Sequence, residues 1–224
     1  MKIGIIGSGV VGQTLGARLV DRGEDVVLGT RSPRSTNDKR GFGQSLEEWL
    51  KTTGGKGRVG TFADAAAHGE IVINATSGTV SLEALRLAGE QNLRGKILID
   101  VSNPLDFSKG MPPTLTVCNT DSTGEQIQNA FPDAKVVKTL NTTNVNVMVD
   151  PASVAGGDHD LFVSGNDAAA KARVTELLRQ WFGWRTVIDL GDITTSRGVE
   201  MLLPLWLRLW GALGSPAFNF KIAR

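Results

Sequence analysis

Along the first 140 residues, short apolar runs alternate with stretches whose apolar positions recur every three to four residues. That is the pattern of repeated β-α-β units around a parallel sheet. Val/Ile-rich runs predict strands near Lys2–Ile6, Asp25–Leu28, Arg58–Thr61, Glu70–Ala75, Ile97–Val101 and Lys135–Leu140. Several are apolar throughout, as expected for strands covered on both faces. A helix is predicted from Gly12 with Leu15, Leu19 and Val20 turned inward, a second from Ser45 with Leu46, Trp49 and Leu50, and a third over Ser81–Ala88. Ser122 followed by Glu125 predicts a capping box. Beyond Asn146 the texture changes to a Gly157-Asp158-His159 turn, a strand at Leu161–Ser164, a helix from Ala168 to Phe182, a strand at Thr186–Asp189 and an apolar C-terminal helix. The expected architecture is an α/β, doubly wound parallel sheet over residues 1–143, with a small C-terminal α/β unit over 144–224 packed on it.

Composition narrows the partners. The 224 residues are 41% hydrophobic and 21% charged, enough for a substantial core. The formal net charge is only +1, too small for a dedicated nucleic-acid or anionic-membrane surface. One cysteine, Cys118, cannot form an internal disulfide, and two histidines, His68 and His159, cannot build a histidine-rich zinc site. A reducing, cytoplasmic compartment and no metal are expected. The opening Met1–Ile6 is interrupted at once by Gly7, Gly9 and Gly12, so it is not expected to be a secretory signal. Met201–Leu213 contains Pro204 and Arg208 and is too short to span a bilayer. There is no tyrosine, which removes every mechanism built on a tyrosine proton donor.

Gly7-Ser8-Gly9-Val10-Val11-Gly12 fits G-x-G-x-x-G, follows an apolar strand and opens an amphipathic helix, the setting of a Rossmann-type phosphate turn. Gly7 permits the tight turn, Gly9 the approach of a pyrophosphate, and Gly12 close helix–strand packing, while free N–H groups and the helix dipole attract phosphate. The second strand ends in Leu28-Gly29-Thr30-Arg31-Ser32-Pro33-Arg34, where an NAD enzyme would carry an acid. Thr30 and Ser32 offer hydroxyls, and Arg31 and Arg34 offer fork-shaped cations suited to a 2′-phosphate. A charge-assisted bond of about 1.5–3 kcal/mol gives roughly 10- to 100-fold preference for NADP.

Three further segments lie just past strand ends: Asn74-Ala75-Thr76-Ser77-Gly78, Asp100-Val101-Ser102-Asn103-Pro104-Leu105 and Lys138-Thr139-Leu140-Asn141-Thr142. With the first turn and the tail Thr195-Ser196-Arg197-Gly198-Val199-Glu200-Met201-Leu202-Leu203-Pro204, the chain resembles the deazaflavin-dependent NADP reductases (coenzyme factor 420 reductases), in their bacterial branch. The resemblance runs over nearly the whole chain. It implies NADP as one substrate and an acceptor bound over the nicotinamide at the junction of the two units. It also implies that Ser8 to Gly12 hold the pyrophosphate and that Thr30, Arg31, Ser32 and Arg34 hold the 2′-phosphate. Ala75, Thr76, Ser77, Ser102, Asn103, Pro104 and Thr142 would line the nicotinamide, and Asn141, Ser196 and Arg197 the acceptor. The pattern departs at Asn141, where the archaeal enzymes are expected to carry histidine.

His68 and His159 precede strands and are expected at the N-terminal edge of the sheet as surface residues, away from ligand. Cys118 is expected to be buried. Arg197 either orients an anionic acceptor or pairs with Glu200 one turn on. With so few proton donors, the expected reaction is direct hydride transfer to a flavin-like or deazaflavin ring, positioned by Asn141 and Thr142. Quinone or ferric-complex reduction, and a non-catalytic NADPH-sensing module, are the competing readings. Leu202–Leu213, with Trp206 and Trp210, predicts core or a homodimer contact.

Overall fold

The computed structural model describes residues 1–35, 38 and 43–224. The strands among the described residues are β1 (Lys2–Ile6), β2 (Asp25–Gly29), β3 (Arg58–Gly60), β4 (Ile71–Asn74), β5 (Ile97–Asp100), β6 (Leu105–Asp106), β7 (Thr114–Leu115), β8 (Lys135–Thr139), β9 (Asp160–Ser164) and β10 (Thr186–Asp189). The α-helices are α1 (Val10–Asp21), α2 (Leu46–Thr52), α3 (Phe62–His68), α4 (Ser81–Ala88), α5 (Glu90–Leu93), α6 (Thr123–Ala130), α7 (Val145–Val149), α8 (Ala168–Phe182), α9 (Ser196–Met201) and α10 (Leu203–Leu213). Eight strands form one sheet in the order β10-β9-β8-β5-β4-β1-β2-β3, while β6 and β7 pair separately. Every neighbour in the large sheet is parallel except β8 and β9. This is the Rossmann-type doubly wound α/β fold, and the strands that follow residue 144 extend the same sheet.

The continuous apolar strands are explained by burial on both sides. Ile3, Ile5, Val26, Leu28, Ile71 and Ile73 face one core with side chains of α1, α2, α7 and α8. Ile6, Val27, Val72, Leu98 and Val136 face the other, with side chains of α3 to α6. The period of two along each strand thus divides one apolar run between two cores.

The structure corrects several local expectations. The first helix begins at Val10, with Gly9 as its N-cap, not at Gly12. Helix α3 was not anticipated, because Phe-Ala-Asp-Ala-Ala-Ala-His lacks a strong apolar period; Thr61 and Asp64 form its capping box. At α6 the Ser122 side chain accepts from the Glu125 N–H, but the reciprocal bond to the Ser122 N–H comes from Asp121, so the box is half made. The C-terminal apolar helix is two helices, with Pro204 in the first turn of α10.

Candidate active site

The site is built at the C-terminal ends of the parallel strands. Gly7 leaves β1 at φ +117, and a Cβ there would sit 2.6 Å from the Ala75 carbonyl oxygen. A Cβ on Gly12 would lie 1.9 Å from the Gly7 oxygen, so α1 can lean on the turn only without a side chain. A Cβ on Gly9 meets nothing within 4 Å. The glycine there keeps open space over the first N–H groups of α1, as an anion site requires. Val10 and Val11 occupy the first turn, and Val11 packs on the core.

A cavity of about 760 Å³ opens from this turn. Gly7, Ser8 and Gly9 line one side, Thr30, Arg31 and Ser32 another, and Thr76 and Ser77 a third. The structure thus brings together eight of the residues singled out in the sequence. The cavity also contains residues not singled out there: Phe62 from α3, Val80 just before α4, and Glu83, Ala84 and Leu87 along α4. Their spacing of three and four residues was the available signal, but an exposed helix face carries the same spacing in many proteins. Thr30 is buried and its hydroxyl faces the Ser32 N–H at 3.4 Å. Arg31 is exposed and has no ion pair or hydrogen bond among the described residues. Arg34 is exposed and stands outside the cavity lining.

A second group at the same edge is closed. Asn103 donates to the Asn141 carbonyl at 2.8 Å, and Asn141 donates back to the Asn103 side-chain oxygen at 3.0 Å and to the Val199 carbonyl at 3.2 Å. Asn141, Thr142 and Ser102 are each 2% exposed and Ser196 is fully buried. The hydroxyls of Ser102 and Ser196 have no partner among the described residues. Pro104 is also buried, and its carbonyl receives the Thr116 N–H. Leu140, just before Asn141, is held at φ +62, a strained conformation for a γ-branched residue. The Asn103 carbonyl receives the Gly78 N–H at 3.0 Å, joining this closed group to the Thr76–Ser77 wall of the cavity.

Beneath both groups lies an ion cluster that the sequence did not reveal. Lys138, fully buried, donates to Asp100 at 2.8 Å and to the Ser102 carbonyl at 2.6 Å, and pairs with Glu200 at 2.8 Å. Burial by itself would depress its pKa, but Asp100 and Glu200 outweigh that and hold the ammonium above its ordinary value. Asp100 also accepts from the Asn74 side-chain amide, whose side-chain oxygen receives the Thr76 hydroxyl at 2.7 Å. Glu200 accepts the Thr123 and Gly124 N–H groups at the start of α6. One charge network therefore runs from the cavity wall to the C-terminal helices.

Three polar residues, Arg197, Cys118 and His159, lie differently than expected, whereas His68 lies where expected. Arg197 forks onto Glu125 at 2.8 and 2.6 Å and does not pair with Glu200, which the network has taken. Cys118 is exposed, because the strand before it ends at Leu115. His68 does sit at the N-terminal end of β2, against the Asp25 carbonyl at 3.0 Å. His159 does not share that edge: β9 runs antiparallel to β8, so its start lies at the opposite end, level with residues beyond Thr139. It is 3% exposed, faces Trp184 edge-on, and lies 2.9 Å from the Pro151 carbonyl and 2.8 Å from the Asn219 amide nitrogen. Both ring nitrogens are committed.

A parallel sheet whose first strand runs into this glycine turn, with a basic side chain after the second strand, defines the dinucleotide-binding oxidoreductase class. A model of the family described as NADP oxidoreductase, coenzyme F420-dependent, matches residues 2–104. The F420-dependent NADP reductase of Methanocaldococcus jannaschii is 30% identical over 213 residues, covering 93% of this chain and 92% of that one. The chain belongs to this F420-dependent NADP oxidoreductase family and is an NADP-dependent oxidoreductase. Metalloreductase STEAP3 of Rattus norvegicus is 31% identical over 92% of this chain, which spans only 38% of that protein's length. A solved structure from Arthrobacter sp. FB24, named provisionally an F420-dependent NADP reductase, is 57% identical and superposes with a TM-score of 0.95 over 100% of both chains.

Proposed function

We propose that the protein passes a hydride between NADP(H) and a flavin-like or deazaflavin ring. The observation that carries this reading is the cavity that joins a glycine-capped helix N-terminus to Arg31, which has no partner among the described residues. Those ends fit the two anionic parts of NADP, a pyrophosphate and a 2′-phosphate. The bound nicotinamide supplies the hydride. Ser8 to Gly12 bind the pyrophosphate through backbone N–H groups, and Thr30, Arg31 and Ser32, with Arg34 outside, bind the 2′-phosphate. Ala75, Thr76 and Ser77 border the nicotinamide, and Ser102, Asn103, Pro104 and Thr142 shape the floor behind it. Asn141 works as a positioning residue: buried, it fixes Asn103 through reciprocal hydrogen bonds. Ser196 and Arg197 border the acceptor, the second behind its fork onto Glu125.

No side-chain acid is required. The chain has no tyrosine, His68 lies at the far edge, and both nitrogens of His159 are engaged. A ring that delocalises the incoming charge needs orientation more than protonation. The enzyme acts as a cytoplasmic homodimer, with its single cysteine consistent with a reducing compartment.

The reading is tested by loss of NADPH absorbance with deazaflavin, flavin, quinone and ferric-complex acceptors offered in turn. Turnover with the deazaflavin or flavin is expected. Turnover with ferric complexes or quinones alone would replace this reading by the one that the 31% identity to a metalloreductase favours. Tight NADPH binding with no acceptor reduced would identify a sensing module.

A further inference from the structure

The far side of the cavity is a helix face with an unusual composition for a polyanion site. Glu83, Ala84 and Leu87 line it from one face of α4, and Val80, the N-cap residue of that helix, continues the stripe. Val80 is 42% and Leu87 54% exposed, although both are large and apolar. Exposed aliphatic side chains inside a ligand cavity, with Phe62 on an adjoining wall, suit the faces of an aromatic heterocycle. Glu83 stands between them. Its carboxylate has no hydrogen bond or ion pair among the described residues, and Arg31 in the same cavity leaves it unpaired.

A free carboxylate costs affinity for a ligand carrying several phosphates unless it accepts a hydrogen bond from that ligand. Phosphates offer no donor at neutral pH. A 6-aminopurine does, through its exocyclic amino group, and its ring faces match the apolar stripe. We infer that Glu83 is a base-specificity residue: it accepts the 6-amino group of the adenine of a dinucleotide held between α4 and Phe62. This rests on the nucleotide reading above and adds to it the means by which the base is chosen. A carboxylate can only accept, so it disfavours a base that presents an oxygen at the 6-position, where two acceptors would face each other, and the N1–H of such a base lies at a different point on the ring edge.

The test compares NADP with nicotinamide hypoxanthine dinucleotide phosphate, whose base carries a 6-oxo acceptor in place of the 6-amino donor, by calorimetric titration. The wild type is expected to prefer NADP by about 10- to 100-fold. In Glu83→Gln the amide can accept from the amino group or turn and donate to the oxo group, so the preference should collapse to about twofold or less. Glu83→Ala should also lose the preference, with both ligands bound. Because Glu83 is exposed, neither variant disturbs the core. Arg31→Ala is the control: it should weaken both phosphorylated dinucleotides alike, spare NAD, and leave the preference intact. Equal affinities in the wild type, or an undiminished preference in Glu83→Gln, would overturn the inference while leaving the NADP site standing. If neither dinucleotide bound, or Arg31→Ala changed nothing, the nucleotide reading would fall and the base assignment with it.

Discussion

Lys138 is the residue on which most of the site rests. A fully buried ammonium is tolerable only because Asp100, Glu200 and the Ser102 carbonyl surround it. Lys138→Met is expected to destabilise the fold by about 3–5 kcal/mol, measured by urea unfolding, since it leaves two carboxylates without their cation. The pH dependence has a definite sign. The folded-state pKa of Lys138 lies above its ordinary 10.5, so its contribution is complete below about that pH and is lost as pH rises through the higher folded value. Stability should therefore fall on the alkaline side in the wild type, and this part of the fall should vanish in Lys138→Met. With no tyrosine in the chain, no phenol titration obscures the measurement. At this scale the sequence was a partial guide. Lys138, Asp100 and Glu200 were each visible next to a motif, but they lie 38 and 62 positions apart in the chain, and nothing local shows that they meet.

At the scale of elements, the turn from β1 into α1 separates two uses of glycine. Gly9 has φ −77 and ψ −175, open to any residue, and a Cβ there would point into empty space. Gly9→Ala should therefore keep the stability of the wild type to within about 1 kcal/mol, yet lose NADP affinity by at least about tenfold, because the methyl occupies the phosphate approach. Gly12→Ala should do the reverse first: its Cβ meets backbone at 1.9 Å, so α1 must shift and stability should drop by about 1–3 kcal/mol. Paired thermal melts and NADP titrations check both, and a destabilised Gly9→Ala with normal affinity would reverse the assignment. Element identity was largely legible, since period two and period 3.6 arise from backbone geometry that each segment carries alone. Helix α3 escaped because alanine satisfies the helix without marking a face. The edge at which His159 lies is not legible locally, because the direction of β9 is set by its partner β8 and not by its own residues.

For the whole molecule, the largest apolar exposure among the described residues lies near the C-terminal helix and the β6–β7 hairpin. Trp206 is 8% exposed and stacks on Phe218 at 5.2 Å, so the tail covers one side of α10. Asp160 holds that tail through the Phe220 carbonyl and the Ile222 N–H. The other side is bare: Leu205, Trp210 and Leu213 are 51%, 40% and 60% exposed, and Phe107 and Met111 are 56% and 66% exposed. Met111, Leu207 and Trp210 line a groove of about 630 Å³. That much apolar surface is the mark of a protein contact, and the proposed occupant is a second copy of the chain. Light scattering should give twice the chain mass for the wild type and a monomer for Trp210→Ala combined with Leu213→Glu, with NADP affinity retained. A wild-type monomer at micromolar concentration would refute the dimer.

The sequence by itself determined the fold class, most of the strands and helices, and the glycine turn at the end of β1, because each of these depends on neighbours within one β-α unit. Tertiary structure alone decided which apolar face each strand residue serves, that Arg197 belongs to Glu125, that α4 and its Glu83 wall the cavity beside the glycine turn, and that a lysine could be buried at the centre. Those outcomes depend on which strands lie side by side and in which direction they run. Such pairings bring together residues whose separation along the chain carries no local signal of contact.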